Sequence, residues 1–494
     1  MKRRNAYIHW LIGVIGVCLS ACSNGPVTLD REEDSLPEII PDYKEVTIPV
    51  NIAPLNFGLS EKTEPIKQAI ARFSASDYTF QVELKNGTFP IPASDWRTLM
   101  EKSVGGSFEV RVIAREKEEW VGYRPFTVFV SPDSIDAYLA YRRIEPGYEL
   151  WKELGIYQRD LSTYEETPIL ENMQTGGNCM NCHSFCNRRP DRFLFHMRQK
   201  FGGTYIVEGD EVKKLTTKTP ETLSDLVYPS WHPGGRFVAF SVNKTQQLFH
   251  DNDRNRIEVY DMLSDVVVYD TETQEIITSP LLFRKESFET FPSFSADGKT
   301  LYFCTAEARK MPEDFKEVKY SLCALSFDAG KRTFGSEVDT LYSAPKQGRS
   351  VSFPRVSPDG HYLMYTLSDY GNFSIWHKEA DLYLIDLRTG AHHHLKEVNS
   401  RDVESYHSWS SNSRWFVFSS RRNNGLYTRP YFAHIAEDGT VGKPFLMPQK
   451  DKDYYLNMMQ SYNIPEFISS RVDIKPRSFV SVAKEPGIPI TFKK

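Results

Sequence analysis

What the chain has little of narrows its function first. Its 60 Lys and Arg nearly balance 65 Asp and Glu, a formal charge of −5. Because those charges are spread without long blocks, neither nucleic acid nor an anionic membrane surface is an implied partner. Only residues 6–19 form a sustained apolar run. It is too short for a comfortable membrane span, and with Lys2, Arg3 and Arg4 before it, it reads as an export signal. Cysteine is sparse, 7 in 494 residues. No second C-x-x-C or His-x-x-x-His accompanies the one that is present, and no βαβ pattern surrounds it, which weakens both a zinc site and a thioredoxin-like dithiol. No acid–base constellation names a substrate.

What is present is the pentad Cys179-Met180-Asn181-Cys182-His183, the C-x-x-C-H spacing that attaches a c-type haem. Two thiols at i and i+3 would lie on one side of a helical turn and bond one porphyrin edge. The imidazole that follows would ligate the iron from one face. Gly176 and Gly177 precede the motif without side chains, so backbone can approach a large planar ring. With 7 Cys and 12 His in the chain, such a pentad is expected by chance roughly 0.002 times. Haem c is therefore the expected cofactor, with Cys179, Cys182 and His183 as its attachment and ligand residues.

Leu19-Ser20-Ala21-Cys22 follows the export signal and resembles the lipobox of bacterial lipoproteins. The resemblance implies that Cys22 becomes the first mature residue and carries acyl chains that anchor it to a membrane. Ser23 is not the aspartate that tends to hold such lipoproteins at the inner membrane, so an outer-membrane lipoprotein is expected, its body on the periplasmic face where c-type haem is fitted. Cys186, Cys304 and Cys323 then remain, an odd number that argues against a disulfide framework. Cys304 and Cys323 could pair across neighbouring strands or stay as buried thiols.

The mature chain of about 470 residues is long enough for two or more domains. Aromatics at 13%, with 26 Tyr and 31 Phe, point to many half-buried strands. Residues 23–44 read as a flexible tether. Alternating strands at 46–50, 78–84, 108–114 and 120–130, with a helix near 93–102, fit an immunoglobulin-like β-sandwich over residues 45–132. Residues 133–185 are expected as a helical connector broken at Pro146-Gly147 and ending in the pentad.

Beyond it the chain repeats itself. Tyr228-Pro229-Ser230-Trp231, Phe291-Pro292-Ser293-Phe294, Phe353-Pro354-Arg355-Val356 and Tyr406-His407-Ser408-Trp409 each precede a turn and an apolar strand. The aligned positions 229, 292, 354 and 407 are 63, 62 and 53 residues apart, the scale of a four-stranded propeller blade. These units resemble the PD40 repeat, a WD40-like unit, of TolB-like β-propellers, and the match covers roughly residues 186–460. Residues 190–195 look like a worn copy that has lost its glycine. The expected fold is mainly β: the sandwich, then a propeller over 186–494 with six blades as the best count and five or seven open.

Two tempting sites deflate. His392-His393-His394 begins a strand, where alternation sends neighbours to opposite faces. Asp251, Asp253 and Asn255 start like a calcium loop, but Arg256 stands where its glycine belongs.

Function then turns on the sixth iron ligand, since a second His or Met gives electron transfer and an open position permits chemistry. His196 is the first choice, with Met197, Met173 and His232 as alternatives. Arg142, Arg143, Arg188 and Arg189 are plausible partners for the haem propionates. The leading expectation is an envelope-anchored electron-transfer or interaction module whose propeller docks a protein. The runner-up is a haem enzyme with a small-molecule pocket, loosely similar to hydrazine synthase-type subunits. A third reading is a TolB-like scaffold without a redox role.

Overall fold

Apolar alternation with a period of two dominates the chain, and nearly every such segment forms a strand. The computed structural model describes residues 27–60, 66–147, 152–222 and 224–493. The export signal and Cys22 lie outside them. Among the described residues no helix is long and apolar enough to cross a membrane.

The N-terminal strands form one seven-stranded sheet rather than the two layers of a sandwich. Ala69–Ala75 pairs with both Tyr78–Glu83 and Ser107–Glu116, and the helix Ala93–Ser103 packs on this sheet through Trp96, Leu99 and Met100. The expected tether is largely built in. Arg31–Glu33 adds a parallel strand beside Val121–Tyr123, Ile39–Ile40 pairs with Gly58–Leu59, and Tyr43 is buried. Proline and acidic residues hid these short strands, because neighbours rather than local period stabilise them.

Six sheets follow around one axis, a six-bladed β-propeller. The expected helical connector is instead the first blade: Tyr138–Ile144, Leu154–Asp160 and Glu166–Glu171 are antiparallel strands. Their large apolar residues mimic a helical period, but Pro146-Gly147 marks the turn between two strands. The innermost strand of this blade is Ser461–Ile468, from the far end of the chain, paired with Tyr138–Ile144. The ring is thus closed by hydrogen bonds between segments more than 300 residues apart, and each blade can bury its faces on two neighbours. The C-terminal segment adds parallel strands outside blades two and three, at Ile488–Pro489 and Thr491–Phe492.

The N-terminal sheet is not a separate bead. Its core runs continuously into blades five, six and one through Trp415, Tyr362 and Tyr462. Trp415 Nε1 donates to the Asp133 carbonyl at 3.0 Å, fixing the junction.

Candidate functional site at the propeller axis

The pentad lies on the inner strand of blade two, Met180–Phe185, and is extended rather than helical. Its place there follows a sixfold rule. Every inner strand carries a two-residue bulge where pairing with its neighbour shifts. The first bulge residue has positive φ in all six blades: Cys182 (54°), Tyr228 (50°), Phe291 (49°), Phe353 (52°), Tyr406 (48°) and Ile464 (54°). Left-handed backbone at residues with a Cβ is strained and persists only where the surroundings impose it. The next residue is proline in blades three, four, five and one, and His183 and His407 in blades two and six. Cys182-His183 therefore occupies the aromatic-proline position of the repeat.

Four of the bulge residues pack against one another round the axis, edge-on or tilted. Ring centroids lie 4.6 Å apart for Tyr228 and Phe291, 4.2 Å for Phe291 and Phe353, and 4.9 Å for Phe353 and Tyr406. Ile464 and Cys182 complete this collar, and Cys182 is its smallest member. On one side is a cavity of about 250 Å³ lined by Cys182, His183, Arg188, Arg355, His407 and Glu466 among others. A second cavity, about 100 Å³, is bordered by Cys179, Arg142 and Trp376. Asn181 touches both, so the pentad spans the axis, with its two thiols on different cavities.

His183 and His407 hold equivalent positions but differ in their partners. His407 places Nε2 3.0 Å from the Met364 carbonyl. His183 is 2% exposed, and the Ile464 backbone is the polar group facing its ring; neither Nδ1 nor Nε2 makes a hydrogen bond of full geometry among the described residues. Burial, reinforced by Arg142, pushes its pKa down to about 3, with only the Ile464 backbone opposing. The imidazole is neutral at ordinary pH, the form that binds a metal. Buried polar groups are normally satisfied, so an imidazole with only the Ile464 backbone facing it and no full hydrogen bond among the described residues calls for an explanation. The Cys182 thiol is free and its pKa is raised by burial, and Cys179 is also free.

Sequence reasoning missed the groups opposite. Glu466 receives the Phe185 N–H at 2.9 Å while its other oxygen is unpartnered. Burial raises its pKa to about 7 against the pull of Arg355 and Arg188. Desolvation lowers the pKa of both guanidiniums. The available signal was the bulge alignment, which puts Glu466 and Arg355 two places after Ile464 and Phe353.

The other anticipated ligands are not brought to His183. His196 sits one strand further out, opposite Asn181, and lines neither cavity. Burial pushes its pKa down to about 4. Met197 is buried in the core between blades one and two, and Met173 is 68% exposed. His232 is held at the turn of blade three, Nε2 3.1 Å from the Gly298 carbonyl. Of the four arginines, Arg188 borders the larger cavity and Arg142 the smaller, while Arg143 pairs with Glu166 and Arg189 with Asp191. Cys304 and Cys323 are free, buried on opposite faces of blade four, and Cys186 is a buried free thiol. His392 and His394 turn to Tyr365 and Asp381 respectively. Asp253 pairs with Lys316. Among the described residues, no group of three or more His, Cys, Asp or Glu is placed to hold a metal ion.

The donor set fits a c-type haem by residue type, two free thiols and a neutral imidazole, but not by placement: Cys179 and Cys182 border different cavities, and the strand is extended where the spacing argument needs a helical turn that brings both thiols to one porphyrin edge. Its enclosure does not yet match in size. A cavity of about 250 Å³ falls below the roughly 300–1,000 Å³ of sites that enclose drug-sized ligands, so a porphyrin requires the collar beside Cys182 to open.

No family model and no curated protein matches the chain. Solved structures resemble it only distantly. The prolyl oligopeptidase B of Galerina marginata is 10% identical over 67% of this chain, with a TM-score of 0.35, and this chain covers 42% of its length. A puromycin-hydrolyzing peptidase of Mycobacterium tuberculosis is 11% identical, covering 82% of this chain and 57% of its own, with a TM-score of 0.36. The dipeptidyl peptidase 4 of Porphyromonas gingivalis is 10% identical over 86% of this chain and 60% of its own, with a TM-score of 0.28.

Proposed function

We propose that this chain is an envelope-anchored c-type haem-binding propeller that transfers electrons and docks a protein partner. Cys179 and Cys182 would hold the haem covalently and His183 would ligate its iron. Cys22 would carry the lipid anchor at the periplasmic face of the outer membrane. The repeat units resemble the PD40 repeat and support a TolB-like reading, from which the pentad would be a departure. The observation that supports the reading is the buried, neutral His183 beside Cys182: among the described residues neither of its ring nitrogens makes a full hydrogen bond, where Nε2 of the equivalent His407 does.

Bound haem would supply one-electron chemistry. The chain's own part would be to keep the His183 imidazole neutral by burial and to exclude bulk water with the aromatic collar. Arg188 and Arg355, beside Glu466, would set the charge at the cavity.

The test is the visible spectrum of the mature chain produced with haem-maturation machinery. A low-spin reduced spectrum that carbon monoxide leaves unchanged is expected for electron transfer. Carbon monoxide binding would favour the enzyme reading instead, because the sixth position would be open. Absence of covalent haem would reject both. Replacing His196 by Ala tests it as the sixth ligand, and the expected result is an unchanged spectrum, since it faces neither cavity.

A further inference from the structure

The Cys179 end of the axis has a different chemistry from the collar. Its cavity of about 100 Å³ has room for about three waters at ~30 Å³ each, or one small ion. Three guanidiniums border it, those of Arg142, Arg198 and Arg421, and Glu145 is the one carboxylate among the described lining residues. Arg142 is 7% exposed, and its Nε has no partner among the described residues.

Arg421 is 2% exposed and has no carboxylate hydrogen-bonded to it among the described residues. Its Nε donates to the Ile375 carbonyl at 2.9 Å, and Nη1 donates to that of Leu426. Its guanidinium lies 3.3 Å from the centroid of the Trp376 ring. Burial pulls its pKa down to about 9, although Asp402 opposes the shift. A buried cation is expensive unless paired, and carbonyls with a ring face replace only part of its hydration. Two such cations on one small cavity leave a concentrated positive field with planar donors.

We propose that this cavity binds a small oxyanion or a carboxylate group, held between Arg142 and Arg421 with Trp376 fixing the plane of the second guanidinium. The chemistry has two possible sources. It can be a free ion such as formate or nitrate, or a carboxylate of a cofactor attached at Cys179, which borders the same cavity. The site itself does not rest on the haem reading, because its donors belong to blades one and six.

The experiment is calorimetric titration of the haem-free mature chain with formate, nitrate and sulfate at constant ionic strength. Saturable binding of at least one is expected, weakened at least tenfold by Arg142→Gln and partly restored by Arg142→Lys. Arg142 is the decisive position because the more enclosed Arg421 can be needed for folding. Thermal unfolding of each variant checks that the fold is intact. The same titration of haem-loaded chain assigns the source: lost binding identifies a cofactor carboxylate, and retained binding a free ion. Linear, non-saturating heats with all three anions would overturn the proposal, as would saturable binding that Arg142→Gln leaves unchanged. Neither outcome bears on whether haem attaches.

Discussion

Replacing His183 by Pro should stabilise the haem-free chain while destroying its haem ligand. Proline is the residue at this bulge position in four blades, following a residue with the same positive φ, so the backbone at 183 accepts it. The substitution removes a buried imidazole whose two nitrogens make no full hydrogen bond among the described residues. Each such atom costs about 1–3 kcal/mol, and proline at a compatible site adds about 0.4–1 kcal/mol through the unfolded chain. Lost packing of the larger ring opposes this by about 1–4 kcal/mol, and the centres of these ranges leave a net gain of about 2 kcal/mol, taken as about 1–3 kcal/mol. At about 2.1 cal/mol/K per residue, a 494-residue chain unfolding as one unit has an entropy near 1 kcal/mol/K. The gain therefore reads as a rise in Tm of about 1–3 °C. His407→Pro is the control, because it removes one such nitrogen rather than two and also loses the bond to the Met364 carbonyl, worth about 0.5–1.5 kcal/mol, so it should stabilise less than His183→Pro. The assay is scanning calorimetry of both haem-free variants at one scan rate. If His183→Pro raises Tm no more than His407→Pro, the imidazole is satisfied in the native chain and the reasoning fails.

Two further outcomes test the fold. Phe467 is fully buried in the closing strand and packs 5.9 Å from Phe432, so Phe467→Ala should cost about 3–5 kcal/mol and make the chain protease-sensitive, read by urea midpoint and limited proteolysis. Asp261 is buried under Tyr320, Asn243 and Asn372, and burial raises its pKa to about 6 from an ordinary 3.8. The folded chain holds this proton more tightly than the unfolded one, so the contribution of Asp261 is full below pH 3.8 and is lost as pH rises towards 6. Asp261→Asn should flatten that window in a stability–pH profile, and should lower stability throughout because an amide N–H₂ then faces donors.

The propeller was legible because its signal is repetition: the aromatic-proline pair, the turn and the apolar strand recur at blade spacing, and each element is set by its own residues. Blade one was not, and blade two only in part, through the worn copy at 190–195 that leads into its strand Arg192–Met197. Blade one takes its inner strand from Ser461–Ile468, a pairing no local pattern announces. In blade two, Cys182-His183 replaces the aromatic-proline pair, and Asn187 and Arg188 take the left-handed turn that Gly298 and Gly360 make elsewhere. The pentad looked like a separate motif because the substitutions that give it chemistry also erase the repeat. Cys179, Cys182 and His183 were legible from spacing alone; Glu466 and Arg355 could be found only by aligning the bulges, and Arg421 only once the ring is closed. His196 drew attention by its nearness in sequence, but it sits one strand further from the axis than Asn181 and lines neither cavity.

Covalent haem is the claim on which the functional reading stands. The direct measurement is the alkaline pyridine adduct of the mature chain after acid–acetone extraction, made in cells whose maturation machinery also processes a control cytochrome. One covalent haem per chain is expected for the wild type and none for the variant with Cys179→Ala and Cys182→Ala. A colourless wild-type chain beside a matured control would contradict the account and leave Cys182-His183 as a variant of the repeat's aromatic-proline bulge.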